Sequence, residues 1–208
     1  MNRNSIEVFA DIWCPFAYVG LTTTFARRRA LGRDDVPIIV RAWPLELVNG
    51  VPLDPEVTNR HVIELREQVA PDLFAGFTPD NFPTSTLAAL AIVAGAYRHS
   101  TPVGEAVSMA IRDALFEQGL NLEDPAVLAH IALCHGLGAV PRLDDELRVI
   151  SDWHEGQARG VRGSPHFFWG EMSAFCPALE IDKDAAGHLV VKLDPERLES
   201  FLVDSLMS

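Results

Sequence analysis

Asp11-Ile12-Trp13-Cys14-Pro15-Phe16-Ala17-Tyr18 is the stretch on which the reading of this chain turns. The apolar run Ile6 to Ala10 leads into it and reads as a strand. A helical pattern from about Pro15 to Leu31 leads out of it, with Gly32 as the stop. Cys14 is thereby placed at the N-terminus of a helix that follows a strand. The unpaired N–H groups and the positive end of the dipole favour thiolate over thiol there, so Cys14 is the first candidate for a reactive group. A buried structural thiol is the plain alternative.

Outward from that stretch, Val36 to Trp43 (VPIIVRAW) reads as a second strand, rich in β-branched residues. Strand, helix, strand at this length is a βαβ unit, which makes the first two strands parallel. Pro44 to Pro55 reads as a turn-rich exit, and from there to about Gly160 the pattern is mostly helical. Leu87, Leu90, Ala91, Ala94 and Tyr97 form one apolar stripe, and Val107, Ala110, Ile111, Ala114 and Leu115 another. Asp124-Pro125 opens a helix that Gly136 ends, and a further helix runs from about Leu143 to Arg159. Ala70 to Thr86 interrupts the pattern with aromatics and prolines. It reads as an ordered connection, the alternative being a lid over a site.

After Gly160 the period returns to two. His166 to Trp169 reads as a strand, Gly170 as a turn, and Asp184 to Gly187 as the bend of a hairpin between Leu179–Ile181 and Leu189–Leu193. Asp194-Pro195 opens a terminal helix whose buried stripe is Leu198, Phe201, Leu202 and Leu206. The order β-α-β, helices, β-β-α implies an α/β fold with an all-helical insertion. Residues 1–50 with 158–208 form the sheet-bearing part, which the C-terminal strands complete, and 51–157 the inserted helical subdomain.

Composition narrows the function classes. At 208 residues the chain buries one good core, or a core with an inserted subdomain. A net charge of −12 argues against a nucleic-acid surface. Met1 to Ser5 has no leader-like pattern, and no apolar run is long enough to span a bilayer, so a cytoplasmic protein without membrane contact is expected. Three widely spaced cysteines, with no CxxC pair, leave no disulfide framework or structural zinc site. His99, His130, His135 and His154 lack ligand spacing, so no metal is assigned. No exposed apolar stripe in the pattern compels self-association, and a monomer or homodimer is expected.

Three stretches together resemble one family: the strand followed by Asp11…Cys14-Pro15-Phe16-Ala17-Tyr18, the exit Trp43-Pro44-Leu45-Glu46-Leu47, and Gly160-Val161-Arg162-Gly163-Ser164-Pro165. The chain resembles the DsbA-like proteins, thioredoxin folds with a helical insertion, and within them the FrnE-type cytosolic members. The 2-hydroxychromene-2-carboxylate isomerases and kappa-class glutathione transferases stand further off. The resemblance implies that Ser164-Pro165 is the family's cis-proline loop beside the active thiol. FrnE-type members read Cys-Pro-Trp-Cys-Tyr where this chain has Cys14-Pro15-Phe16-Ala17-Tyr18, whereas the isomerases and kappa-class transferases read Ser-Pro-Tyr-Ser-Tyr. The first sulfur is kept and the second is not, so Ala17 cannot release a mixed disulfide in the CxxC manner.

The resemblance implies a thiol–disulfide oxidoreductase working through Cys14. Its partner would be a protein disulfide or a small-molecule thiol such as glutathione or mycothiol, a co-substrate rather than a tightly bound cofactor. A glutathione- or mycothiol-dependent isomerase or transferase using the same site is the second reading, and a non-catalytic thiol-binding or chaperone-like protein the third. Ser164 and Pro165 are expected to hold an extended thiol peptide like an added strand. Trp13, Pro15 and Phe16 are expected to line the apolar patch that receives it, the core being the alternative for Trp13. His166 is a candidate proton donor, or else a packed strand residue. Asp11 is expected to cap the first helix turn or set local charge, and Arg27-Arg28-Arg29 to be solvated. Cys134 is expected in the core beside Val127 and Ile131. If His166–Trp169 pairs with Ala174–Leu179 around Gly170, Cys176 returns towards Pro165. It then becomes a candidate resolving cysteine, given Cα atoms within about 7 Å.

Overall fold

The computed structural model describes residues 5–138 and 140–206. Strand β1 (Ile6–Ala10) leads into helix α1 (Pro15–Ala30) and then β2 (Ile38–Ala42). The two strands pair in parallel, with Ile6 beside Ile38 and Ala10 beside Ala42. α1 crosses over between them, and Ile6, Val8 and Ala10 are fully buried with Ile38.

The chain leaves β2 through a short helix, α2 (Leu45–Asn49), where a turn-rich exit is expected. Pro44 starts it with a preset φ of −66°, and Gly50 stops it in the left-handed region at φ 73°. Helices α3 (Pro55–Gln68), α4 (Leu87–His99), α5 (Thr101–Phe116), α6 (Pro125–Cys134) and α7 (Leu143–Ala158) follow, with one 3-10 turn at Pro79–Asn81. Asp54 and Asp124 cap α3 and α6 by accepting from backbone N–H groups of the first turn. No strand falls between 51 and 157 among the described residues. α4 buries more than its stripe, since Ala89, Ile92, Val93 and Ala96 are inside with Leu90 and Ala91. It is clasped by α5 and α7 at once, and all three lie against β2.

Strands β3 (His166–Trp169) and β4 (Met172–Phe175) complete a sheet of order β2-β1-β3-β4, in which β1–β3 and β3–β4 are antiparallel. β5 (Leu179–Lys183) and β6 (Leu189–Leu193) do not extend it, although the C-terminal strands are expected to complete the sheet. They form a separate antiparallel hairpin, with α3 packed on β6 and Gln68 hydrogen-bonded to Leu189 and Val191. Helix α8 (Pro195–Leu206) follows and buries Leu198, Phe201 and Leu202. The Leu206 side chain, expected on the same stripe, lies outside the described residues.

One buried cluster runs from Val8 and Ile38 through Leu65, Phe74 and Ile111 to Phe167, Leu179 and Leu202. The helices therefore share a core with the sheet. A smaller cluster on the opposite sheet face joins Phe9, Trp43 and Phe168. Above it, Arg41 pairs with Glu7, Asp152 and Glu155, while Arg159 pairs with Glu7 and lies over the Phe168 ring at 4.2 Å. These pairs tie α7 to the strands and neutralise guanidinium groups that burial would otherwise make costly.

Three surface expectations are corrected. Arg28 is buried, bonding Glu105 at 2.6 and 2.7 Å and the Val36 carbonyl at 2.8 Å, and Arg27 pairs with Glu199. Arg28 fills the gap between α1, α5 and the entry to β2, so the run is not a solvated face. Cys134 is exposed rather than in the core. It lies three residues past Ile131, and the helix rotation carries it over the rim, within 3.6 Å of His130 Nε2. α7, finally, turns Leu143 (69% exposed), Leu147 (57%) and Ile150 (37%) outward on one face, where no exposed apolar stripe is expected.

Candidate functional site

Cys14 is the N-cap of α1, with φ −79° and ψ 111°, and Pro15 takes the first helical position. Its Sγ donates to the Ser164 carbonyl oxygen at 3.1 Å. The Ser164 hydroxyl in turn accepts from the Asp11 N–H at 2.9 Å, so two hydrogen bonds clamp the start of α1 to this loop. The Ser164–Pro165 peptide is cis, and Pro165 packs against α1 at Gly20, where an added Cβ would lie 3.3 Å from Pro165 Cγ.

Burial pushes the Cys14 thiol up, since only 4% of the residue is exposed. The side chain of Ser164 and the backbone of Ala17 and Phe16 act in the other direction, and the Asp11 charge adds to the rise. This corrects the expectation of a resting thiolate. Unpaired amides do stabilise the anion, but removing it from water costs more.

Asp11 does more than cap the first turn. It is fully buried, and its carboxylate accepts from Ile12 N and Thr86 Oγ1, each at 2.7 Å, and from Leu45 N. It thus ties the end of β1 to the starts of α2 and α4. Burial lifts it to about 6 against those hydrogen bonds and the charge of Arg112. Arg112 is itself fully buried, donating to Ser108 O at 2.8 Å, Ser108 Oγ at 2.6 Å and the Asp11 carbonyl at 3.0 Å. Desolvation lowers it to about 10, while Asp11 and the Cys14 thiolate, when formed, hold its proton on. A cation and a carboxylate therefore sit beneath the thiol, acting on it with opposite sign.

The expected lining of the site divides. Trp13 is fully buried and stacked on Phe82 at 5.5 Å with an interplanar angle of 15°, so it takes the core alternative rather than lining an open patch. Phe82 comes from the 70–86 connection, whose side chains thus pack beneath the thiol loop. Phe16 is half-buried and tilts against His61 of α3 at 5.4 Å, and Pro15 is buried. Tyr18 fastens α1 to α5, its hydroxyl lying 2.7 Å from Asp113 Oδ1 and 2.9 Å from Glu117 Oε1.

His166 takes the bland alternative. Its Nδ1 accepts from the Arg162 N–H at 3.1 Å, its ring packs on Phe168 and Phe175, and burial holds it near 4, so the imidazole is neutral. It shares a strand face with Phe168, while Phe167 and the Pro165 side meet α8 and α1. The proton-donor role is corrected on that ground.

Cys176 follows β4 directly, as the pairing of His166 with Phe175 requires. Its N–H donates to the Pro165 carbonyl at 2.9 Å, and its backbone lies in the left-handed region at φ 45°. Burial pushes its thiol up to about 12, with the Cys14 charge as the next cause.

Asp11, Thr86 and Arg112 are the site residues that the sequence reading left without these roles. Arg112 carried no signal in the pattern, since it follows Ile111 by one residue and so lies about 100° round the helix from it, off the apolar stripe. Among the described residues no group of His, Cys, Asp or Glu is arranged to hold a metal ion, and no helix is long and apolar enough to cross a membrane. A groove of about 840 Å³ between α1 and α8, lined by Thr23, Arg27, Leu193, Glu199 and Val203, does not include the thiol.

Comparison with known proteins bears on the fold and the family. The model of the DSBA-like thioredoxin domain matches residues 5–185. A 2-hydroxychromene-2-carboxylate isomerase structure superposes with a TM-score of 0.63 at 15% identity, over 82% of this chain and 87% of that one. A Nitrosomonas europaea protein provisionally described as a protein disulfide isomerase gives 0.62 at 14%, over 98% and 97%. The cytosolic disulfide reductase DsbM from Pseudomonas aeruginosa gives 0.60 at 14%, over 98% of both chains. No curated protein matches the sequence. The fold is thioredoxin-like α/β with a helical insertion.

Proposed function

The chain belongs to the DSBA-like thioredoxin domain family, and we propose that it is a cytoplasmic thiol–disulfide oxidoreductase of the FrnE-related kind, working through Cys14. The observation that carries this reading is the position of Cys14 at the N-cap of α1 with its sulfur on the Ser164 carbonyl. The thiolate attacks a disulfide sulfur of a protein or a low-molecular-weight partner, one partner sulfur leaves as a thiol, and a mixed disulfide forms on Cys14. Glutathione or mycothiol fits as the small thiol, and the Ser164-Pro165 loop would take the partner backbone as an added strand. Cytoplasmic placement is supported by the description of DsbM as cytosolic and by three cysteines left free in the fold.

A second reading is favoured by Ala17, which is fully buried and offers no thiol at the fourth position of the motif. In it, the site binds a thiol cofactor and activates that sulfur for an isomerisation or transfer, as the name of the superposed isomerase suggests. One assay separates the two. Exchange with oxidised glutathione is measured on the wild type and on Cys14→Ser. Activity that vanishes in the variant supports the oxidoreductase. Isomerase or transferase turnover that survives it supports cofactor activation, and saturable binding without turnover in either protein overturns both.

A further inference from the structure

Cys14 and Cys176 reach the same dipeptide from two sides. Cys14 Sγ donates to the Ser164 carbonyl at 3.1 Å, and the Cys176 N–H donates to the Pro165 carbonyl, one residue on, at 2.9 Å. Both residues are buried, at 4% and 3% exposure, on elements held together by that loop. We propose that Cys176 is the resolving cysteine of the site, closing a Cys14–Cys176 disulfide across Ser164-Pro165 in place of the thiol that Ala17 lacks. The inference rests on the reading of Cys14 as the redox thiol.

Two further observations agree with it. Cys176 is a non-glycine residue at φ 45°, a backbone state that is strained for an L residue and that collects at functional positions. The Cys14 charge opposes ionisation of Cys176. That charge belongs to the Cys14 thiolate alone, and Cys14 held in a mixed disulfide cannot develop it, so Cys176 then ionises without that opposition.

The steps balance with a low-molecular-weight disulfide as oxidant. The Cys14 thiolate attacks one sulfur of oxidised glutathione, and the first glutathione leaves and takes up the proton that Cys14 gave up. The Cys176 thiolate then attacks the Cys14 sulfur, the mixed disulfide breaks, and the second glutathione leaves with the proton from Cys176. Two protein thiols become one disulfide, and one oxidised glutathione becomes two reduced molecules.

The test uses a Cys134→Ser background, which removes the exposed third thiol, with oxidised glutathione as the probe. Intact mass, non-reducing peptide mapping and released glutathione are read together. The expected result is a chain lighter by two hydrogen atoms, a peptide linking Cys14 to Cys176, and two equivalents of glutathione released. Adding Cys176→Ser should leave a stable adduct on Cys14 and one equivalent released, with Cys176→Ala as the control for folding. A stable Cys14 adduct with free Cys176 in the background protein overturns the resolving role and leaves the oxidoreductase reading standing. An unmodified Cys14 in every protein overturns both.

Discussion

The Cys14 thiol donates its hydrogen bond to the Ser164 carbonyl oxygen at 3.1 Å. A carbonyl accepts from a protonated thiol and repels a thiolate, so the resting site holds the proton that burial also favours. In the exchange proposed above, attack on a disulfide would begin by breaking this contact. A partner strand that occupies the Ser164 backbone would do so.

The first prediction concerns that proton. Alkylation of Cys14 by iodoacetamide, followed by peptide mapping against pH, should still be accelerating at pH 9, because burial raises the thiol above its ordinary value of 9.0. A plateau reached by pH 7 would show a resting thiolate and contradict the geometry.

Asp11 and Arg112 should move the same profile in opposite directions. Asp11→Asn removes a negative charge that opposes the thiolate, and Arg112→Met removes a positive one that favours it. An interaction of about 1 kcal/mol changes the thiolate fraction about fivefold. Alkylation at pH 8 should thus speed up several-fold in the first variant and slow in the second. Shifts of the same sign would mean that both act only through loosened packing.

Asp11 also sets a pH dependence of stability. Its carboxyl stands at about 6 in the fold against 3.8 ordinarily, so the folded chain binds the proton more tightly than the unfolded one. That contribution is fully present below pH 3.8 and is lost as pH rises through 6. The wild type should lose ground against Asp11→Asn over this range by up to about 3 kcal/mol. Urea denaturation of both proteins at pH 4 and pH 7 measures it, and a wild-type advantage that grows with pH would refute the assignment.

Gly156 tests the packing of α7 on the sheet. An added Cβ would stand 2.6 Å from Trp43 Cζ3 and 3.1 Å from Phe9 Cδ1, in a buried aromatic cluster with little room to move. Overpacking costs about 1–3 kcal/mol, against about 1 kcal/mol that alanine adds in helix propensity. Gly156→Ala should therefore lower Tm while leaving the alkylation profile of Cys14 unchanged. A raised Tm would show that the ring cluster yields.

Much of the site's placement was legible because it depends on short-range pattern. An apolar run ending at Asp11 and a proline after Cys14 suffice to put a thiol on a helix start. The turn at Gly170 suffices to bring Cys176 back beside Pro165, since antiparallel register is set by counting from the bend. The β5–β6 hairpin shows the limit of that logic. Its local pattern predicted two paired strands, but a hairpin carries no mark of which edge it joins, and α3 claimed it.

By itself, the sequence determined the βαβ opening, the inserted helices, the position of Cys14 and the missing thiol at Ala17. The tertiary structure alone decided the state of that thiol and the company it keeps. Trp13 went into the core, His166 turned to the far face of the sheet, and Asp11 and Arg112 met beneath Cys14 from elements about a hundred residues apart. Periodicity and capping act over a few residues. Desolvation and charge act through space, on whatever the packed elements bring within reach.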